Sequence, residues 1–255
     1  MSELRPEEVD VLLLAAGYGK RLRPLTDNLP KPLVQVGGRP LIDWNLELIA
    51  AAGFRRVFIN LFYLGEQIRA YVGDGRRYGL EVKFVPEPEL LDTGGTVRNV
   101  FPLTRSPYLV SVNSDILIGR DFSYNSLLAA HAAAEPKGVC ATLALRSDDN
   151  AQQYGIIESD AEGRVVGLLD ARLPPSAVAR STAVTPYMYM GIQILNSRAI
   201  DVMPAVGSVF SLTKDTFRTL ILRGSYLNSI VFPGYFSDIG TPERLAAASN
   251  DVGQF

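Results

Sequence analysis

The stretch AAGYGKRLRPLT, Ala15 to Thr26, sets four small residues, Ala15, Ala16, Gly17 and Gly19, beside three cations, Lys20, Arg21 and Arg23. Residues without bulky side chains let a chain turn tightly and bring backbone N–H groups close to a ligand. The cations then call for an anion, and a phosphate chain is the anion that uses both kinds of donor. A surface turn with solvated basic residues would look similar, so other parts of the chain must decide. Two common phosphate loops are absent here: GYGKRL does not supply G-x-x-x-x-G-K-[ST], and the fingerprint G-x-G-x-x-G fails at its last position, where Leu22 stands. An NAD-dependent oxidoreductase is disfavoured on that ground.

Other chemistries find little support. His131 is the only histidine and sits in LLAAHAAAE, a helix-like run, which argues against a Ser-His-Asp or Cys-His nucleophile. The single cysteine, Cys140, lies in the apolar run GVCATLAL and reads as a buried core thiol, with neither a disulfide framework nor a cysteine metal site. With 255 residues, 47% hydrophobic and 20% charged, the composition is that of a globular protein with one large α/β domain or two small ones. A net charge of -2 gives no bulk attraction to nucleic acid or an anionic membrane, so phosphate binding must come from local cations. The start, MSELRPEEVDV, is polar and acidic, and no apolar run approaches the roughly 18 residues of a membrane span. A cytoplasmic location is expected, with no membrane or nucleic-acid partner.

The elements that must position the loop follow from periodicity. From residue 9 to about 135, β-like runs (VDVLLL, RVFINL, LEVKFV, PYLVSVNSD) alternate with helical ones (LIDWNLELIAAAG, LGEQIRAYVG, TGGTVRNVF, YNSLLAAHAAAE). Such alternation predicts an α/β fold with a mixed, mostly parallel sheet covered by helices on both faces. Ligands of such sheets bind where strands end, which assigns the loop after the first strand and Asn113 to Asp115 to one rim. After residue 138 the runs VCATLALR, YGIIESDAEGRVVGLLD and PYMYMGIQILN predict added strands, with a hairpin at Asp160 to Gly163. Helices are expected in SLTKDTFRTLILRG and TPERLAAAS, and residues 172–186 lack clear periodicity.

The loop continues into DNLPKPLVQVGGRPLI, and together the two stretches resemble the sugar nucleotidyltransferase (NDP-sugar pyrophosphorylase) family, whose pattern is close to LAGG-x-G-[TK]-R-L-x-P-L-T followed by PKP and v-G-x-P-L-i. Further along, PEPELLDTGG, VSVNSD, YGII and FSDIGTPERLAAA match the family's E-x-x-P-L-x-T-G-G, v-x-N-G-D, YG and w-x-D-I-G-T-P segments. The nearest textures are mannose-1-phosphate and heptose-1-phosphate guanylyltransferases and N-acetylmuramate-1-phosphate uridylyltransferases. The resemblance implies a Rossmann-like nucleotidyltransferase fold over residues 1–255 as a single domain. A nucleotide-binding half would span 9–135 and a sugar-binding half 136–255, with an added β-hairpin sugar segment and no C-terminal β-helix.

It also implies a reaction: a nucleoside triphosphate and a sugar 1-phosphate give an NDP-sugar and pyrophosphate. The attacking phosphate oxygen is already an anion, so no general base is required, and the difficulty is repulsion between two polyanions. By this resemblance Arg21 clamps the departing β and γ oxygens and Lys31 of PKP screens the two phosphates that meet, while Ala15, Ala16, Gly17 and Gly19 line the triphosphate. Asp115 and Asp238 would hold Mg²⁺, the expected cofactor. Glu87, with Thr93 and Gly94, faces the base, for which guanine is expected. Asn113, Gly155 and Asp170 belong to the sugar side.

Two departures concern the sugar. Where relatives carry EKP, this chain has Asp170 and then Ala171, leaving Arg172 as the candidate replacement cation, and Ser114 replaces the glycine of N-G-D. The expected function is a guanylyltransferase acting on mannose 1-phosphate or a heptose 1-phosphate. The alternatives are a uridylyltransferase acting on N-acetylmuramate 1-phosphate or another amino-sugar 1-phosphate, and a catalytically silent binding module. Homo-oligomer formation is left open.

Overall fold

Val11, Leu12 and Leu13 have no polar face to offer water, so their strand must be covered on both sides, as parallel strands of α/β proteins are. In the computed structural model, which describes residues 3–148, 156–177 and 183–255, they lie in β1 (Asp10–Leu14), and all three are fully buried. Next come a short ribbon of β2 (Gln35–Val36) and β3 (Arg39–Pro40), then α1 (Leu41–Ala51), β4 (Arg56–Leu61), α2 (Gly65–Val72), β5 (Glu81–Pro86) and α3 (Asp92–Val100). The middle of the chain forms β6 (Tyr108–Asn113), β7 (Ile116–Ile118), α4 (Tyr124–Ala134) and β8 (Val139–Arg146). Beyond it lie β9 (Ile156–Asp160), β10 (Val165–Leu168), β11 (Ala171–Arg172), β12 (Val184–Asn196) and α5 (Ser197–Ile200). The chain continues through α6 (Arg218–Leu222), β13 (Tyr226–Val231), β14 (Phe236–Asp238) and α7 (Pro242–Asn250).

The chain divides into two compact units that interleave in sequence. The first comprises Pro6–Leu90, Val112–Tyr124 and Gly234–Phe255. In it β4 lies between β1 and β5 and pairs in parallel with both. All six residues of β4 are buried, and a bidentate ion pair from Arg56 to Asp10 ties its start to β1, with Nε to Oδ1 at 2.9 Å. A core of Leu22, Val36, Leu41, Leu117, Ile239, Ala248 and Phe255 underlies the rest of this unit. Trp44 packs edge-on against Phe255 there, donates Nε1–H to the Val36 carbonyl and carries the Arg39 guanidinium over its ring.

The second unit comprises Leu91–Ser111 and Asn125–Pro233, with residues 3–5. Here β9 joins β10 and β12 in antiparallel pairs, β10 pairs β11, and β8 lies between β12 (antiparallel) and β13 (parallel). Helices flank these strands, giving the mixed α/β architecture that the alternation of runs predicts. The Asp160–Gly163 hairpin is present: Gly163 takes a φ of 84°, and Asp160 Oδ1 accepts from the backbone N–H of Glu162 and Arg164. His131 on α4 is wholly buried, bonded to Thr142 at 3.0 Å, and burial lowers its pKa to about 4. Two expectations need adjusting. The helix expected over SLTKDTFRTLILRG begins as a π-helical turn, Leu212–Phe217, and the aperiodic segment is shorter than its composition suggested, because β12 already begins at Val184.

Candidate active site

The glycine-spaced loop leaves β1 at Ala15. Gly19 adopts a φ of 64°, and a Cβ there would lie 3.0 Å from Thr26 Cγ2 and 3.2 Å from Lys31 Cβ, so both conformation and space require glycine. Thr26 closes the loop by donating its hydroxyl to the Gly19 carbonyl. Among the described residues, the N–H groups of Ala16, Gly17, Tyr18 and Gly19 have no acceptor, which leaves a run of donors for an anion. Ala15 is the exception: its N–H is already bonded to Asn60 Oδ1 at 2.7 Å and has no donor to give a triphosphate.

Four charged residues expected at the site come together in the first unit. Each is anchored by a buried neighbour: Arg21 by Leu22, Asp115 by Ile116, Asp238 by Ile239, while Lys31 is itself buried. The ribbon of β7 and β14 brings the two aspartates side by side, with Asp238 opposite Ile116 and Ile239 N–H on the Asp115 carbonyl at 2.8 Å. Lys31 Nζ lies 2.6 Å from Asp115 Oδ2. Asp238 Oδ2 accepts from Arg244 at 3.1 Å, whereas its Oδ1 is buried and accepts no hydrogen bond. Burial first, and then the charge of Asp115, push the Asp238 carboxyl up from its ordinary value, and Lys31 and Arg21 pull it back. Gly240 lies between Asp238 and Arg21: a Cβ there would come 2.8 Å from Asp238 Oδ1 and 3.0 Å from Arg21 Nη2.

An orphaned carboxylate oxygen next to a second carboxylate fits a hard divalent cation, which takes one or two carboxylates and completes its shell with phosphate and water. No group of three or more His, Cys, Asp or Glu suited to a metal occurs among the described residues, so Asp115 and Asp238 would need ligand oxygens from a substrate. Asn113, at the end of β6, is half-buried, and Ser114 donates its hydroxyl to the Leu14 carbonyl at 2.6 Å. The hydroxyl that replaces the family glycine therefore ties this turn to the end of β1.

Glu87 follows β5 and is buried, with Asn60 Nδ2 donating to its Oε1 at 2.9 Å. It lines a cleft of about 440 Å³ with Leu61, Phe62 and Pro86.

The remaining expected residues lie in the second unit. Thr93 Oγ1 accepts from Leu212 N–H at 2.9 Å, and Gly94 N–H is bonded to the Phe210 carbonyl, also at 2.9 Å. A Cβ on Gly94 would lie 2.4 Å from the Phe210 ring, so this glycine has a packing reason that the family motif does not reveal. Asp170 is exposed and held by Arg218 in a bidentate pair at 2.9 and 2.8 Å, which keeps its pKa down at about 2. Arg172 is also exposed but is engaged by Glu158 and by the Leu169 and Ala171 carbonyls. Gly155 lies outside the described residues.

Residues 10–254 match the profile of the Nucleotidyl transferase family. The chain belongs to that family. Over 246 residues the chain is 31% identical to a mannose-1-phosphate guanylyltransferase of Mycobacterium tuberculosis, an alignment covering 96% of this chain and 65% of the relative. It is 44% identical over 113 residues to an N-acetylmuramate alpha-1-phosphate uridylyltransferase of Neisseria meningitidis, covering 44% and 49% of the two chains. These alignments thus span about half to two thirds of each relative's length. Among solved structures, HddC from Yersinia pseudotuberculosis superposes with a TM-score of 0.75 at 22% identity, covering 96% of this chain and 99% of that one, a likeness of fold. No helix among the described residues is long and apolar enough to cross a membrane.

Sequence reasoning passed over three partners of the expected residues: Asn60 and Arg244 in the first unit, and Arg218, which holds Asp170, in the second. Asn60 had a faint signal, a polar residue inside the apolar run RVFINL. Arg244 lies six residues after Asp238 within FSDIGTPERLAAA, whereas Arg218 had no signal, since nothing local in the sequence pairs it with Asp170 across 48 residues.

Proposed function

We propose that the chain catalyses nucleotidyl transfer from a nucleoside triphosphate to a sugar 1-phosphate, releasing pyrophosphate. The observation that carries this reading is the convergence of Arg21, Lys31, Asp115 and Asp238 in the first unit that also holds the donor-rich loop. A phosphate oxygen of the sugar attacks the α-phosphorus, a new P–O bond forms, and the bond to the bridging α–β oxygen breaks, its electron pair leaving with pyrophosphate. The free N–H groups of Ala16, Gly17 and Gly19 seat the triphosphate, and Arg21 neutralises the departing oxygens. Lys31 lowers the repulsion between the approaching phosphates. Asp115 and Asp238 would hold Mg²⁺, which when bound would supply charge neutralisation at the phosphoryl oxygens.

Glu87 accepts from the base, and its two oxygens suit N1–H and the 2-amino group of guanine, which makes GTP the preferred donor. The acceptor is mannose 1-phosphate or a heptose 1-phosphate, with Asn113, Asp170 and Arg172 on the sugar side. A second reading, a uridylyltransferase acting on N-acetylmuramate 1-phosphate, is favoured by the higher identity to the Neisseria relative over its shorter alignment. Pyrophosphate release measured over a grid of triphosphates and sugar 1-phosphates tests both. Release with GTP and a hexose or heptose 1-phosphate supports the first reading, release only with UTP the second, and none with any pair rejects transferase activity.

A further inference from the structure

Asn60 is the penultimate residue of β4, whose two neighbours in the first unit lead into two different parts of the candidate nucleotide site. β1, on one side, runs into Ala15 and the phosphate loop, while β5, on the other, runs into Glu87. The Asn60 side chain spans both, accepting from Ala15 N–H at 2.7 Å and donating to Glu87 Oε1 at 2.9 Å. The backbone follows the same frame, since Glu87 N–H is bonded to the Leu61 carbonyl at 2.8 Å. A main-chain N–H can only donate, and an ionised carboxylate can only accept. The amide's orientation is therefore forced, and asparagine is the side chain of this size with one acceptor and one donor in the required places. Asn60 is 3% exposed and Glu87 8%, so neither bond can be replaced by bulk water without cost.

Resting on the reading of this site as a nucleotide site, we propose that Asn60 is a positioning residue for base recognition. Its amide sets the direction of the Glu87 carboxylate and ties it to the first residue of the phosphate loop, so that base selection and triphosphate seating share one buried side chain. Asparagine and aspartate have nearly the same shape, which lets the two halves of this role be separated. Asn60→Asp keeps an acceptor for Ala15 N–H but turns an acceptor, and a second negative charge, toward Glu87. Asn60→Leu removes both contacts.

The test is calorimetric titration of the full chain with GTP, UTP and pyrophosphate, with thermal unfolding as the check of fold. Wild type is expected to separate GTP from UTP by at least about tenfold, since a pocket built around hydrogen bonds to one base penalises another that leaves them unpaired. In Asn60→Asp that ratio should fall to within about threefold of unity while pyrophosphate affinity stays within about twofold, because the loop contact survives. Asn60→Leu should lose both base preference and pyrophosphate affinity. Should Asn60→Asp fail to fold, Asn60→Ser takes its place, its hydroxyl being too short to reach both partners, with the same loss of base preference expected. A folded Asn60→Asp that keeps the wild-type ratio overturns the inference, as does one that loses GTP, UTP and pyrophosphate alike. Wild type that binds the triphosphates without base preference overturns this inference alone. Wild type that binds none of the three overturns the proposed function and this inference with it.

Discussion

Charge is handled in opposite ways in the two units. In the first, Asp115 and Asp238 crowd together, a buried oxygen of Asp238 is left without a partner, and the cations Arg21 and Lys31 offset the repulsion. In the second, Asp170 pairs with Arg218 and Glu158 with Arg172, each at the surface and each with a complementary fork of hydrogen bonds or carbonyl contacts. The first arrangement costs stability unless a ligand supplies the missing partners, and the second is already complete. Sites built for charged ligands are where such unfinished electrostatics collect.

Four measurements sharpen or break this contrast. The largest effect is expected from Lys31→Ala and Arg21→Ala, which should each lower turnover by at least about a hundredfold, the scale of a lost preorganised donor. Near-normal turnover for Lys31→Ala would end its phosphate-screening role. Second, chelation of divalent ions should abolish pyrophosphate release, and Asp115→Asn should lower it by about tenfold or more, because a neutral amide is a poor ligand for a hard dication. Full activity in excess chelator would remove the metal from the account.

The third measurement reads stability rather than rate. The fold disfavours the charged form of Asp238, so its folded pKa is raised and the unfolded chain ionises first as pH rises; native stability therefore falls on passing upward through the carboxylate range. Asp238→Asn removes that penalty and should raise Tm at pH 7 in metal-free buffer while lowering activity, with the gain fading toward pH 3. In the second unit the opposite holds: Gly94→Ala drives a methyl into Phe210 and should destabilise by about 1–3 kcal/mol, as overpacking does. An unchanged Tm for Gly94→Ala would mean that the Phe210 segment yields easily. The smallest effect is expected from Arg172→Ala, which should change stability by less than about 1 kcal/mol, since its ion pair is exposed. A rise in KM for the sugar phosphate alone would keep Arg172 on the sugar side, and equal values would leave it a surface arginine.

How much of this was legible in the sequence follows the distance between partners. The loop was readable because Ala15, Ala16, Gly17 and Gly19 are small and close together, and Asp115 was readable because it follows a strand in an alternating β/α pattern. The family motifs then marked Lys31, Asp238 and Glu87. The commitment of Ala15 N–H to Asn60, 45 residues away, was not legible, because no periodicity encodes which side chain a backbone donor will meet. Nor was the reason for Gly94, whose tight neighbour Phe210 is remote in sequence, or the pairing of Asp170 with Arg218. The π-helical start at Leu212 was missed because LTKDTF carries an ordinary helical composition.

The chain holds one tryptophan, one histidine and one cysteine. Trp44 is packed in the first unit, against Phe255 and under Arg39, while His131 and Cys140 are buried in the second. Each unit thus carries its own native reporter: indole fluorescence for the first, and the imidazole proton resonance or thiol labelling for the second. Following both through one denaturant titration shows, without any introduced label, whether the two units melt as a single cooperative body or in sequence, since coincident transitions are what an all-or-none process requires.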